Sequence, residues 1–230
     1  MLNIVSTPIG NLDDLSIRQA KTLAASDIIL AEDTRSAQTL LDAIKNRFMF
    51  HVSCSVIKSY YKEKEFEKLP EIIELLKQGK NISLISESGT PLVSDPGYLL
   101  VKTCIQRNIP ITVIPGPSAI TTALVYSGFN PNPPAGGHMF LGFFPKKQSQ
   151  VLQSIKRLKQ IKIIFPDMVF VFYESPLRIN KTLRCIDTSK FNVEVVICRE
   201  MTKKFEEIIR GPIKDLIKRD YKGEITVVMK

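Results

Sequence analysis

Short runs rich in Ile, Leu and Val alternate with stretches of helical period along the whole chain. This is the pattern of βαβ units built on a parallel sheet. The first apolar run, Leu2–Ser6, leads into the turn residues Thr7-Pro8-Ile9-Gly10-Asn11, and Ser16 then offers an N-cap for a helix to about Ala25. A second strand, Ile28–Ala31, ends in Glu32-Asp33-Thr34, where Asp33 and Thr34 can cap the next helix. A weak strand is predicted around Val56–Tyr60. It precedes an amphipathic helix with the face Phe66, Leu69, Ile72, Ile73 and Leu76, closed by Gly79. Ile82–Ile85, a helix over about Tyr98–Arg107 and a strand at Ile111–Ile114 follow, and Ala119–Tyr126 reads as a helix or a connector.

Beyond the Pro/Gly-rich stretch 130–137 the pattern predicts a strand at Met139–Phe144, a basic helix over about Gln150–Lys159 and a strand at Val169–Tyr173. A helix at Ile179–Cys185 precedes strands near Val193–Cys198, Glu207–Ile209 and Ile225–Val228, with a helix at Ile213–Lys218 between the last two. The close spacing of these strands suggests a mixed second sheet. The expected organisation is an α/β domain over residues 1–118, a connector over 119–128 and a second α/β domain over 129–230.

Two domains are consistent with 230 residues, enough for two separate cores. No apolar run approaches the roughly 20 residues of a bilayer span. The start MLNIVSTPIG has no basic segment leading into an apolar one, so a cytoplasmic protein without a signal peptide is expected. The four cysteines, Cys54, Cys104, Cys185 and Cys198, form no C-x-x-C pair, and Cys104 and Cys198 read as buried reduced thiols. His51 and His138 have no second ligand at metal-binding spacing, so neither a metal site nor a histidine-based hydrolase triad is expected.

Charge is divided unevenly. Residues 1–118 hold 13 basic and 13 acidic residues; residues 119–230 hold 19 and 10, so the net +9 lies in the second half. No acidic residue stands between Asp95 and Asp167. Such a stretch is either a solvated basic face or a polyanion footprint, and charge alone does not choose. The residues expected to meet phosphates are Lys146, Lys147, Lys156, Arg157, Lys159 and Lys162.

In open α/β sheets ligands bind beyond the carboxyl ends of the strands. Those ends carry Pro8-Ile9-Gly10-Asn11, Glu32-Asp33-Thr34-Arg35, Glu87-Ser88-Gly89-Thr90-Pro91 and Pro115-Gly116-Pro117-Ser118. Each loop alone is an ordinary turn or cap. Four at successive strand ends point to a binding crevice, with glycines admitting backbone to a ligand and carboxylates suited to ribose hydroxyls or a sulfonium. The dinucleotide fingerprint G-x-G-x-x-G and the P-loop are both missing.

These blocks, with Thr7-Pro8-Ile9-Gly10-Asn11-Leu12, Ala31 to Arg35, Ser86 to Pro91, Ser94-Asp95-Pro96-Gly97-Tyr98 and Pro115 to Ser118, resemble the ribosomal RNA small subunit methyltransferase I family of the tetrapyrrole methylase superfamily. The resemblance continues through Gly142-Phe143-Phe144-Pro145, Phe172 to Pro176 with Arg178, Arg199 to Lys204, and Gly223-Glu224, covering nearly the whole chain in order. It implies the two-domain class III methyltransferase fold, usually homodimeric, with S-adenosylmethionine in the interdomain cleft. The implied reaction is methyl transfer to the ribose 2′-oxygen of a cytidine in 16S ribosomal RNA. By the same resemblance Pro8, Ile9, Gly10, Asn11, Glu87, Ser88, Gly89, Thr90, Gly116, Pro117, Ser118, Ala119 and Ile120 hold the cofactor from the first domain, and Tyr173, Met201 and Thr226 from the second.

The chain departs from the family pattern in three places. Glu87-Ser88 stands where the family usually has Asp-Ala, Ser59-Tyr60-Tyr61-Lys62 replaces a His/Asn-containing stretch, and many members continue into a C-terminal helical extension after the segment matching Glu224.

Methyl transfer from a sulfonium needs alignment of donor and acceptor, and the weakly acidic ribose hydroxyl gains from a base or a stabilising cation. Asp33, Glu174, Glu200 and Lys203 have suitable chemistry. The preferred assignment is Glu200 and Lys203 for positioning and charge stabilisation, with Glu174 and Arg178 organising the acceptor ribose; Glu174 and Arg178 also read as an i,i+4 ion pair at a helix start. The helix Ala119–Tyr126 and the strand Phe140–Phe144 offer apolar surface for a homodimer. Two other readings stand beside this one: a methylase of a tetrapyrrole or another small molecule, and a non-catalytic RNA-binding assembly factor.

Overall fold

The computed structural model describes residues 1–52, 56–134 and 136–230, so Cys54 and Ala135 of the Pro/Gly-rich stretch lie outside the described residues. The chain divides into two units, Met1–Ser118 and Ala119–Lys230.

In the first unit β1 (Leu2–Val5), α1 (Ile17–Ala24), β2 (Ile28–Ala31), α2 (Thr34–Phe48), β3 (Val56–Ser59), α3 (Glu65–Lys77), β4 (Ile82–Ile85), α4 (Tyr98–Gln106) and β5 (Ile111–Ile114) alternate strictly. The strands form one parallel sheet in the order β3-β2-β4-β1-β5. Because successive strand residues point to opposite faces, Val5, Ile29, Ala31, Ile85 and Ile114 pack on α1 and α2, while Leu2, Ile4, Ile28, Leu30, Ile82 and Leu84 pack on α3 and α4. The chain thus runs from β1 to one edge under two helices, then returns through β4 to the other edge under the other two. Adjacent β1 and β4 lead their connections in opposite directions, which makes their carboxyl ends the topological switch point.

Local chemistry sets the element ends. Ser16 closes a capping box on α1: its hydroxyl accepts from the Gln19 amide at 3.2 Å, and the Gln19 side chain accepts from the Ser16 amide at 2.6 Å. The helix α2 was foreshadowed only by its cap, although Ala37, Leu40, Leu41 and Ile44 form its buried stripe. Phe66, expected on the buried face of α3, is 81% exposed, and Glu65 is the buried neighbour. The reason is a second cap: Glu65 Oε1 accepts from the amides of Leu99 and Leu100 at 2.8 and 3.3 Å, which turns Glu65 inward onto the start of α4.

The second unit begins with α5 (Ala119–Ser127), which packs against strands of its own sheet rather than standing apart as a connector. It continues with β6 (His138–Phe143), α6 (Gln148–Ile164), β7 (Val169–Glu174), α7 (Ile179–Thr188), β8 (Val195–Arg199), β9 (Glu207–Arg210), α8 (Ile213–Leu216) and β10 (Ile225–Met229). The sheet order is β6-β7-β10-β8-β9; β6 and β7 are parallel and every other pair is antiparallel, a mixed sheet as the strand spacing suggested. The basic helix α6 runs to Ile164, five residues past the expected end, and seats Val151, Ile155 and Leu158 in the core.

Candidate active site

Three strand-end loops of the first unit are knitted together by backbone and hydroxyl groups. Thr7, directly after β1, pairs with Gly89 of the β4–α4 loop: its amide donates to the Gly89 carbonyl at 2.8 Å and the Gly89 amide donates back at 3.2 Å. The Thr7 hydroxyl donates to the Ser86 carbonyl at 3.2 Å, and the Ser86 hydroxyl donates to the Gly89 carbonyl at 3.0 Å. Ser6 and Thr90 share a hydroxyl hydrogen bond of 3.1 Å, and Thr90 donates at 3.5 Å to the carbonyl of Pro117, after β5. The structure therefore brings the Pro8–Asn11, Glu87–Thr90 and Gly116–Ser118 segments together at the switch point. Within them Ile9 and Gly89 are buried, whereas Gly10, Asn11, Glu87 and Ser88 are exposed. Ala119 and Ile120 open α5 in the second unit.

Gly116 has a structural duty here. A Cβ at this position would run into the Gln19 side-chain amide and come within 2.8 Å of Ser6 Cβ. Gln19 is fully buried and donates from Nε2 to the Ser6 carbonyl at 2.8 Å, so it has little room to withdraw. The absent side chain at Gly116 thus makes space for Gln19, whereas the sequence alone suggests space for a ligand.

The strand ends of the second unit are held by ions instead. The carboxylate of Glu174 is closed from solvent and fully engaged: Oε1 meets Arg178 Nη2 at 2.8 Å and accepts from the Ser175 amide at 2.7 Å, and Oε2 accepts from the Thr182 hydroxyl at 2.6 Å. Glu174 secures the turn into α7, and Arg178 is the member of the pair with donors left over. Glu200 Oε1 accepts from the Glu224 amide at 2.8 Å. Lys203 Nζ lies 3.4 Å from that oxygen and 2.9 Å from Glu224 Oε2. The Glu224 amide, above all, holds Glu200 below the usual carboxylate range, and two carboxylates raise Lys203 against the opposing effect of burial. Both residues clamp the turn before β10 to the loop after β8, where Glu200 and Thr202 take left-handed backbone conformations. Tyr173 and Thr226 are cross-strand partners on β7 and β10, and Tyr173 lies edge-on to Phe140 and Phe143. Met201 and Thr226 are buried.

Of the six basic residues assigned to phosphates, Lys146, Lys147, Lys156 and Arg157 are exposed. Lys159 donates to the Ser189 carbonyl and sits over the Phe191 ring, and Lys162 donates to the Pro166 carbonyl at 2.7 Å.

Two carboxylates outside the expected set lie in the loops after β2 and β4. Asp95 is pushed up to about 6 by burial and then by the charges of Glu32 and Glu87, and Glu32 is raised by burial, Glu87 and Glu63. Asp95 was visible in the sequence as a motif residue and as the last acid before the basic stretch, but nothing there showed that burial and like charge would raise it. Asp33 is committed elsewhere, capping α2 and pairing with Arg35 at 2.9 Å. Among the described residues no three His, Cys, Asp or Glu side chains are grouped to hold a metal ion. Cys104, Cys185 and Cys198 are free and buried, and burial pushes Cys104 up to about 11 and Cys198 to about 12. A depression of about 510 Å³ lined by α2, by His51 and Val52 after it, and by Ile57 of β3 contains none of the expected site residues.

The family description Tetrapyrrole (Corrin/Porphyrin) Methylases matches residues 1–217. A curated relative from Hydrogenobaculum sp. (strain Y04AAS1), named ribosomal RNA small subunit methyltransferase I, is 40% identical over 235 residues, spanning 99% of this chain and 94% of its own. The chain belongs to the ribosomal RNA small subunit methyltransferase I family. It is accordingly a methyltransferase with the tetrapyrrole methylase fold. More distant solved structures share that fold. Diphthine synthase superposes with a TM-score of 0.71 at 16% identity, over 99% of this chain and 89% of its own. A uroporphyrin-III C-methyltransferase from Thermus thermophilus, complexed with S-adenyl homocysteine, gives 0.62 at 14% identity, over 99% and 96%. At such identities the methyltransferase I relatives, not these structures, define the family.

Proposed function

We propose that this chain transfers the methyl group of S-adenosylmethionine to the ribose 2′-oxygen of a cytidine in small-subunit ribosomal RNA, in the cytoplasm. The observation that carries the reading is full-length 40% identity to a relative of that name, in a chain whose β1, β4 and β5 loops interlock at the switch point. The donor set suits the cofactor: backbone and hydroxyl groups of Pro8–Asn11, Glu87–Thr90 and Gly116–Ser118 can bind the nucleoside and amino-acid portions. Exposed Glu87 supplies negative charge for a cationic group. Ala119, Ile120, Tyr173, Met201 and Thr226 complete the cofactor set on this reading.

S-adenosylmethionine supplies a methyl carbon already activated by its sulfonium, so the protein's contribution is alignment and exclusion of water. On this reading Arg178, held by buried Glu174, orients the acceptor's ribose-phosphate, and Lys203, held by Glu200 and Glu224, adds positive charge near the strand ends of the second unit. The RNA backbone is met by exposed Lys146, Lys147, Lys156 and Arg157, with Lys159 and Lys162 at the margin. We further propose a homodimer through α5 and the edge strand β6, where Val125 and Phe143 are 81% and 61% exposed.

The reading is tested by incubating the protein with labelled S-adenosylmethionine and small ribosomal subunits, followed by nucleoside analysis. Labelled 2′-O-methylcytidine is the expected product, and its absence with intact protein and cofactor binding overturns the assignment. Replacing Lys146, Lys147 and Arg157 by Glu should weaken RNA binding and flatten its log–log salt slope by about 0.7–0.9 per lost phosphate contact, leaving cofactor affinity unchanged.

A further inference from the structure

We propose that the ring of Phe205 stacks on an unpaired base of the ribosomal RNA substrate, with Leu177 beside it and Lys204 at a neighbouring phosphate. The inference deepens the function proposed above and rests on its RNA substrate.

The two apolar side chains are presented in the same way. In residues 175–178, directly after β7, the Arg178 amide donates to the Ser175 carbonyl at 2.9 Å, which makes Pro176 and Leu177 the corners of a tight turn. In residues 203–206, between β8 and β9, the Glu206 amide donates to the Lys203 carbonyl at 3.1 Å, and the corners are Lys204 and Phe205. Leu177 is 94% exposed and Phe205 63%, and neither belongs to the core of the second unit. One such side chain would be ordinary surface. Here two stand on neighbouring turns. Ile225 of β10 pairs with Glu174 on one side and Arg199 on the other, so both turns leave the same edge of the sheet, from strand ends about 10 Å apart.

Both turns are pinned. Glu174 Oε1 takes the Ser175 amide and Arg178, and the Ser175 hydroxyl oxygen accepts from the Leu177 amide at 3.3 Å. At the second turn Lys203 is held by Glu200 and Glu224. Glu206 Oε2 accepts from the Thr202 amide at 2.6 Å, and its Oε1 from the Tyr126 hydroxyl at 3.0 Å. A side chain on a turn fixed before binding loses less entropy when a ligand arrives.

Charge identifies the occupant. The acids at this end of the sheet are each taken up: Glu200 and Glu224 by Lys203, Glu206 by Thr202 and Tyr126, Glu207 by Arg199 and Arg219. Among the described residues no carboxylate pairs with Lys204, whose Nζ lies 5.7 Å from the centroid of the Phe205 ring. What remains for a ligand is a ring, an aliphatic side chain and an unpaired ammonium. An aromatic ring beside a cation is the combination that holds single-stranded nucleic acid, the ring taking the face of a base and the cation the backbone. An apolar face of another protein would instead bury Lys204 without an anion.

The test measures binding of the protein to labelled small-subunit ribosomal RNA over about 50 to 200 mM salt, beside cofactor calorimetry and light scattering. Phe205→Ala should weaken binding about 10–100-fold. Its log–log salt slope should not change, because stacking releases no counterions, and cofactor affinity should stay within about twofold. Phe205→Trp should keep the RNA affinity, whereas Phe205→Leu, apolar but without a ring, should not. Lys204→Gln should flatten the slope by about 0.7, the share of one phosphate on a single strand. Leu177→Ala should act in the direction of Phe205→Ala with a smaller effect. A Phe205→Ala affinity within about twofold of wild type overturns the proposal, as does full affinity in Phe205→Leu. So does a mass that falls from dimer to monomer in Phe205→Ala, which would put the ring in a subunit interface. A wild type that binds the RNA and cofactor but methylates no ribose overturns the proposed function itself. An active wild type indifferent to Phe205→Ala overturns the stacking alone.

Discussion

Apart from Asp33, which pairs with Arg35, the strand-end carboxylates of the two units differ in their surroundings. In the second unit Glu174, Glu200, Glu207 and Glu224 are each bound to Arg or Lys and fasten turns. In the first unit the β1, β4 and β5 loops are fastened to one another without charge, by the Thr7–Gly89 bridge and the hydroxyls of Ser6, Ser86 and Thr90, while Asp95 feels burial and the like charges of Glu32 and Glu87. A paired acid is spent on structure. An acid left in like-charged company weakens the fold and is available to a ligand. A carboxylate therefore serves different ends in the two units, and only its partners tell which.

The sharpest way to break this contrast is to remove an acid from each side. Glu174→Ala strips a closed site of its carboxylate and leaves Arg178, the Ser175 amide and the Thr182 hydroxyl without their acceptor. Loss of a buried pair member costs roughly 3–5 kcal/mol, toward the lower end here because Arg178 is partly exposed. Urea unfolding should show that loss, whereas Asp95→Asn should leave stability equal or higher at neutral pH. Similar destabilisation by both would end the distinction.

Gly116→Val tests the uncharged fastening. With Gln19 and Ser6 against the new side chain, overpacking should cost about 1–3 kcal/mol, so any loss of cofactor affinity would come with lost stability. The sequence alone, with its glycines admitting backbone to a ligand, suggests instead a clash with the ligand. Pairing the change with Gln19→Ala should recover part of the stability, a coupling above about 0.5 kcal/mol in a double-mutant cycle. Additive effects would show that Gln19 is not the obstacle.

A smaller effect sharpens the contrast through pH. Folding raises Asp95 from 3.8 to about 6, so folded chains bind its proton more tightly than unfolded ones. Its stabilising contribution is present in full below about 3.8 and is lost as pH rises through about 6. Glu200 works in the opposite sense: lowered by its partners, it stabilises above its ordinary value of 4.5 and loses that contribution as pH falls. Between pH 4 and 7, thermal unfolding of Asp95→Asn should lack the increment that wild type loses on going up. An identical pH dependence in the two proteins would count against the raised pKa of Asp95.

Much of the fold was legible because period and punctuation agree with it. The runs Ile28–Ala31, Ile82–Ile85 and Ile111–Ile114 are strands with the predicted bounds, since short β-branched segments between turn residues leave little latitude. Helix faces were less legible where a side chain had a remote use. Phe66 has the right spacing for the core, yet Glu65 is inside because the amides of Leu99 and Leu100, 34 and 35 residues away, need an acceptor.

The order of motifs along the chain determined the family, the αβ alternation determined a parallel and a mixed sheet, and turn chemistry put polar loops at the strand ends. Tertiary structure decided what each polar residue is for. Whether Gly116 makes room for ligand or for Gln19, whether Lys159 reaches outward or back to the Ser189 carbonyl, and whether a glutamate is paired or free depend on atoms brought together from distant parts of the chain. Apolar period is a local property that repeats in sequence, whereas the state of a charge is set by whichever partners the fold delivers to within a few ångströms of it.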